Sequence, residues 1–377
     1  MNSIYLDNAA TTSIDLEVIK LMQESMQNNF GNPSSTHQFG RKAKSAVETA
    51  RKNIANQFNV SASEIVFTAG GTEADNLILH NAVVNLGVRR IISTKIEHHA
   101  VLHTLDHLKK TYNIKVDYVK VDSDGDIDLL NLENLLKNSL DKTLVSLMLI
   151  NNEIGNILPV NDICVMCSEY KALLHSDTVQ VIGHYQLDLQ KTPLDFMVAS
   201  AHKFHGPKGV GFAFFRKGFG ILPMFHGGAQ ENGARSSTEN VQGILGMDKA
   251  LEISLNRIEQ NKTGILKIKE YFISELTKLD SNIKFNGKSS HRDEGTYTIL
   301  NVRFPFNDDM LLFNLDISGI AVSGGSACQS GSAKGSHVLK EILSDIEVSN
   351  TSIRFSFSKF TTKQEIDTTL LKLKEFF

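Results

Sequence analysis

The chain has 377 residues, enough for about two to three structural units at roughly 150 residues each. Hydrophobic residues make up 41% and charged residues 21%, a balance that excludes disordered, collagen-like and disulfide-dense classes. Lys plus Arg number 39 against 42 Asp plus Glu, and the net charge of −3 gives no electrostatic case for nucleic acid or an anionic membrane as partner.

The amino terminus, MNSIYLDNAATT, has neither the basic nor the long apolar run of a secretory signal, so a cytoplasmic location is expected. The most apolar runs fall far short of the ~20 residues needed to span a bilayer, which predicts no membrane partner. Apolar runs of strand length then alternate with segments of helical period. Strands are predicted at Glu64–Thr68, Arg90–Thr94, Lys115–Val119, Leu144–Ile150, Ala172–His175, Phe196–Ser200 and Gly211–Phe215. Helices between them include Gly40–Phe58 and Ile163–Tyr170. Runs apolar on both faces indicate an α/β fold with a mostly parallel sheet covered by helices. From about Asn256 a long amphipathic helix is followed by strand-like segments at Thr296–Phe304 and Ser352–Phe357 and a closing helix, the pattern of a smaller α+β unit.

Several chemistry-bearing motifs have an ordinary structural explanation. His99, His103 and His107 are spaced i, i+4, i+8, so a helix would align them as metal ligands. No carboxylate or cysteine cluster completes such a site, and a polar helix face is the preferred reading. VDSDGDIDLLNLE lacks glycine at the sixth position of a calcium loop and reads instead as a strand, an Asp-Gly turn and a helix capped by Asp128. Cys164 and Cys167 form a C-x-x-C within a helical apolar pattern, which makes them core residues. The glycine-rich nucleotide and dinucleotide cradles are absent from the sequence.

VASAHKFHGPKG is more informative. Lys203 follows a strand and enters a Gly/Pro-rich turn, a setting in which partial burial turns a lysine into a Schiff-base nucleophile. Pyridoxal phosphate chemistry needs three further groups. A carboxylate must keep the pyridine nitrogen protonated, and Asp177, 26 residues before Lys203 at the end of the preceding strand, is the candidate. The phosphate needs amides and hydroxyls at a helix start, which Gly71 and Thr72 of TAGGTEADN offer. The ring needs a flat partner, and His98 follows the strand RIIST. Near the other end, VSGGSACQSG surrounds Cys328 with small residues, the composition of an exposed loop with a reachable thiol.

Together these segments resemble cysteine desulfurases of the nitrogenase and iron–sulfur-cluster type, in the class-V aminotransferase group of fold-type-I pyridoxal-phosphate enzymes. The likeness runs from YLDNAATT through FGNPSS, GGTEADN, TKIEHHAVL, NNEIG, HSDTVQ, SAHKFHGPKG, HGGAQENGARSSTEN and SGGSACQSG to SIRFSFSKFTT. The resemblance implies a large cofactor-binding domain over residues 15–255 with a seven-stranded sheet. Residues 1–14 with 256–377 would form the small α+β domain that carries the cysteine loop. Lys203 would hold pyridoxal 5'-phosphate, His98 would stack on its ring and move protons, and Asp177 would meet the pyridine nitrogen. Asn152 and Gln180 would contact the ring oxygen. Gly71, Thr72, Ser200 and His202 would hold the phosphate, with Thr238 reaching it from a partner subunit of a homodimer. Arg354, aided by Asn152, would clamp the carboxylate of L-cysteine. Cys328 would take the sulfur as a persulfide, release L-alanine, and pass the sulfur to a protein acceptor such as an iron–sulfur scaffold.

The chain departs from the usual pattern at Thr178, where alanine is common, at Asn232, where arginine is frequent, and at Ser237, where glycine usually precedes the threonine. Alternatives are a selenocysteine lyase, another class-V aminotransferase, or a non-catalytic sulfur carrier that keeps the fold. Cys328 argues against a plain aminotransferase, and the joint presence of Lys203, Asp177, His98 and Cys328 argues against an idle relative.

Overall fold

A computed structural model describes residues 3–138, 141–324 and 335–377; Cys328, with Gly325 and Gly331, lies outside the described residues. In chain order the strands are β1 (Ile4–Tyr5), β2 (Ile65–Thr68), β3 (Arg90–Ser93), β4 (Lys115–Tyr118), β5 (Thr143–Ser146) and β6 (Leu173–Asp177). They continue as β7 (Phe196–Ser200), β8 (Gly211–Phe215), β9 (Lys284–Phe285), β10 (Ile299–Arg303), β11 (Ile320–Ala321) and β12 (Ser352–Ser356).

Seven of these form one sheet in the order β2-β8-β7-β6-β5-β3-β4. All neighbours run parallel except β8, which is antiparallel to both β2 and β7. Each apolar run predicted from the first 250 residues is a strand of this sheet. The strands β2, β3, β5, β7 and β8 are buried at every position, because helices cover both faces. Alternate side chains enter different cores: Phe212 and Phe214 join the cluster under the helices Gln38–Gln57 and Val241–Asn256. Ala213 and Phe215 join the cluster under Gly71–Val84 and His99–Tyr112.

One prediction needs correction. Of the predicted run Leu144–Ile150 only the residues up to Ser146 are regular strand, in β5. Beyond it the chain still follows β6, with Leu147 N donating to His175 O at 3.1 Å and Leu149 N to Asp177 O at 3.0 Å. Asn151 then ends the run: its side-chain carbonyl accepts from Glu153 N at 2.9 Å and Ile154 N at 3.1 Å, folding the chain into a turn.

The C-terminal third builds a second layer. Strands β12, β10 and β9 form an antiparallel sheet packed on the helices Ile258–Leu279 and Lys363–Leu373, around Phe272, Leu300, Phe355 and Ile366. The N-terminal segment joins the two layers. It pairs with β11 through β1, bridges Asp7 to Ser356, and then places Thr12 N on His202 O at 2.8 Å and Asp15 N on His205 O at 3.0 Å. Among the described residues no helix is long and apolar enough to cross a membrane.

Candidate active site

In a parallel sheet the strand ends open on one side, and successive ends deliver side chains to a common crevice. Here β6 ends on Asp177, β7 ends on Ser200, and the next turn, Ala201–Lys203, presents His202 and Lys203. The chain leaving β2 reaches Gly71 and Thr72, and the chain leaving β3 reaches His98. These ends surround a cavity of about 240 Å³. Gly71, Thr72, Ser200 and His202 line it, as do Asn152, Asp177, Gln180 and Lys203, with His98 and Arg354, ten of the sequence-predicted residues.

The amine of Lys203 donates to Ala9 O at 2.7 Å and Ala10 O at 2.9 Å, and Gln180 Nε2 donates to Ala9 O at 3.1 Å. Asp177 Oδ1 accepts from Val179 N at 2.9 Å. Burial raises the Asp177 pKa, while the Val179 amide and the Lys203 charge pull against that rise. His98 caps the helix His99–Tyr112, its Nδ1 accepting from Ala100 N at 3.1 Å. That bond fixes the tautomer: the neutral ring carries its proton on Nε2. Burial, and then the positive charge of Lys203, push His98 down to about 4, so the ring is neutral at physiological pH.

At the start of the helix Gly71–Val84 no side chain caps the first turn, which leaves amide donors for an anion. A Cβ on Gly71 would stand 2.7 Å from Val179 Cγ2, so the close approach of this turn to the chain just after β6 favours glycine. His202 Nδ1 lies 3.1 Å from Thr11 Oγ1, and burial lowers its pKa to about 4. From the other layer comes Arg354 on β12, 1% exposed, bonded through Nη2 to Asp7 Oδ1 at 2.9 Å and through Nη1 to Asn152 O at 2.8 Å.

Of the sequence-predicted residues, one described residue, Thr238, is not in this cavity. Cys328 lies outside the described residues. Thr238 is exposed in this chain and lines a separate cavity with Phe67, Gly209 and Arg235. His103 and His107 are exposed on their helix, where His103 stacks on His99 at 4.8 Å. Cys164 and Cys167 are buried core residues whose thiols burial raises to about 11 and about 12. Residues that sequence reasoning assigned no role also line the cavity: Ala9 and Ala10 of the N-terminal segment, and Asp75. Asp75 is 1% exposed, and its Oδ1 lies 3.3 Å from His175 Nε2 without a well-aligned hydrogen bond. Burial, reinforced by the nearby charges of Asp177 and Glu97, holds Asp75 well above the usual carboxylate range. The helical offset from Thr72 to Asp75 within GGTEADN was the available signal, since three residues along a helix return to the same face.

Residues 4–369 match the Aminotransferase class-V family. The chain belongs to that family. Among its class-V relatives is the "Cysteine desulfurase IscS" of Dictyoglomus turgidum, 40% identical over 372 residues, covering 97% of this chain and 92% of the relative. The "Putative cysteine desulfurase IscS 1" of Bacillus subtilis is 38% identical over 373 residues, with 98% and 97% covered. A solved "NIFS-LIKE PROTEIN" superposes with a TM-score of 0.90 at 37% identity, covering 99% of each chain. A structure described as "SspA in complex with cysteine" reaches a TM-score of 0.78 at 28% identity, covering 96% of this chain and 100% of that one. Class-V aminotransferases of this kind are generally pyridoxal-phosphate dependent.

Proposed function

We propose that this protein is a pyridoxal-phosphate-dependent cysteine desulfurase that removes sulfur from L-cysteine and releases L-alanine. The observation that supports this most directly is the meeting, on one cavity, of Lys203, Asp177, His98, an uncapped helix start and Arg354. The donor set suits the cofactor part by part. Lys203 would bind its aldehyde carbon, the buried carboxyl of Asp177 its ring nitrogen, and the amides at Gly71 and Thr72 with Ser200 and His202 its phosphate. When bound, pyridoxal phosphate supplies an electron sink for bonds to the α-carbon of an amino acid.

The chain's own groups then have separable tasks. Arg354 would orient the substrate carboxylate, together with Asn152. The amine of Lys203, held near the Ala9 and Ala10 carbonyls, would accept a proton from the substrate. The neutral His98 ring can only donate from Nε2 at first, because Nδ1 is occupied by the Ala100 amide. Cys328 would accept the substrate sulfur, a role read from its sequence setting. We propose further that the protein works as a homodimer, with Thr238 serving the partner's site. Exposed apolar side chains on and just after the helix Leu16–Asn28, Leu16 at 80%, Met26 at 57% and Phe30 at 66%, support such a contact. A protein acceptor such as an iron–sulfur scaffold would take the sulfur onward.

The test is to incubate the purified, cofactor-loaded protein with L-cysteine and a thiol reductant and to measure alanine and sulfide together. Equal yields are expected, with one extra sulfur on the Cys328 peptide before reductant is added. Pyruvate or transamination products in place of alanine would refute the reading.

A further inference from the structure

Arg354 is a buried cation, and a buried cation needs both a counter-charge and hydrogen-bond partners to hold one orientation. Its Nη2 bond to Asp7 Oδ1 is 2.9 Å long and its Nη1 bond to the Asn152 carbonyl is 2.8 Å. Asp7 in turn is fixed from a third side, because Ser323 Oγ donates to the same Oδ1 at 2.8 Å. Ser323 and Arg354 also exchange backbone bonds, Arg354 N to Ser323 O at 2.7 Å and Ser323 N to Arg354 O at 3.3 Å. Two donors, Arg354 Nη2 and Ser323 Oγ, thus converge on one carboxylate oxygen of the N-terminal segment. A guanidinium has five N–H groups. Two are committed to Asp7 and Asn152, and Nε–H has no partner among the described residues.

We propose that Asp7 is a positioning residue for recognition of the substrate's α-carboxylate. It holds the Arg354 guanidinium so that the remaining N–H edge is presented to that carboxylate. The inference rests on the reading of Arg354 as the carboxylate-binding residue. The negative charge of Asp7 is not what recognition requires, since a resident anion competes with the incoming one for the same cation. What it requires is an acceptor oxygen at this place. Among the described residues both side-chain bonds to Asp7 fall on Oδ1, and asparagine can supply that oxygen.

The experiment compares binding of L-alanine with that of L-alaninamide, which lacks the anionic carboxylate, to the cofactor-loaded enzyme by calorimetry and by cofactor absorbance. Asp7→Ala is expected to raise the dissociation constant for L-alanine about tenfold, the effect of losing one hydrogen bond to a charged group, and to leave that for L-alaninamide unchanged. Asp7→Asn is expected to stay within about threefold of the parent for both ligands. The KM for L-cysteine should follow L-alanine binding, with kcat unchanged. Arg354→Gln serves as the control for the underlying reading. If it weakens both ligands equally, Arg354 does not bind the carboxylate and the inference falls with it. If Arg354→Gln selectively weakens L-alanine while Asp7→Ala binds it normally, the Arg354 reading stands and the role of Asp7 is overturned. Equal weakening of both ligands by Asp7→Ala, or loss of L-alanine binding in Asp7→Asn, overturns it as well. Should Asp7→Ala fail to fold, Asp7→Ser, whose hydroxyl stops short of Arg354, takes its place with the same expected result.

Discussion

Lys203 and Arg354 line the same cavity but reach it by different routes. Lys203 sits in the turn directly after β7, a strand buried at all five positions and flanked by neighbours on both sides. Its place is set by the end of a core strand, as are those of Asp177 and His98. Arg354 belongs to β12 of the three-stranded sheet and is held by Asp7 and by the Asn152 carbonyl, two groups remote from it in sequence. On the proposed function the cofactor side of the site would therefore be a property of one sheet, whereas the substrate side would be assembled across the contact between two layers. Substitutions on the first side should alter cofactor chemistry, and those on the second should alter substrate affinity.

The largest expected effect is that of Lys203→Ala. Removing the amine takes away both the covalent anchor and the proton acceptor, so desulfuration should fall by more than about 10³-fold. Borohydride treatment followed by peptide mapping should fix cofactor on Lys203 in the parent and nowhere in the variant. Fixation on another lysine would move the cofactor side of the comparison elsewhere.

Asp177→Asn should come next. An amide cannot hold the pyridine nitrogen protonated, so kcat should fall about 10²-fold while the KM for L-cysteine changes little. The readout is steady-state kinetics on variant protein with its cofactor content confirmed. A rise in KM at constant kcat would place Asp177 on the substrate side and break the division.

His98 gives a prediction in pH rather than in rate. Its folded pKa is about 4, below the unfolded value of about 6.5, because burial and the Lys203 charge disfavour the imidazolium. Between those values the unfolded chain binds a proton that the folded chain does not. Its contribution to stability is thus present above about pH 6.5 and is lost as pH falls toward 4. Histidine carbon NMR, with the signal assigned by its absence in His98→Gln, should show no titration of this ring from pH 8 to 5. A midpoint near 6.5 would mean that the ring is solvated, and the cofactor side would lose its fixed donor.

The same division explains what could be read from the sequence. Lys203, Asp177, His98 and the Gly71–Thr72 turn were legible because each follows an apolar run, and strand ends on one side of a parallel sheet must converge. The seven strands were legible for the same reason, although the run to Ile150 overstated regular structure where Asn151 turns the chain. Asp7 was not legible as a partner of Arg354, since 347 residues separate them and no local period links them. Ala9 and Ala10 contribute carbonyls, which every residue possesses, so no side-chain signal marks them. Thr238 could not be given a place by strand logic, because it follows an irregular segment in which Glu231, Asn232 and Ser237 all adopt positive φ.

The smallest expected effect lies on the substrate side, at Ser323. Among the described residues its hydroxyl donates to Asp7 Oδ1 at 2.8 Å and Ser323 does not line the cavity, so the side-chain route from Ser323 to the substrate runs through Asp7. Ser323→Ala removes that donor and leaves the Arg354 bond to the same oxygen in place. A single hydrogen bond of this type contributes on the order of 1 kcal/mol, and part of it is recovered when Asp7 leans further on Arg354. The KM for L-cysteine should therefore rise about two- to fivefold, with kcat, cofactor content and the cofactor spectrum unchanged. Combined with Asp7→Ala, which already lacks the acceptor, the same substitution should add nothing, since two changes in one chain of contacts are not additive. Full additivity in that double variant would show that Ser323 acts independently of Asp7, and that the substrate side is held by more than the contacts converging on that oxygen.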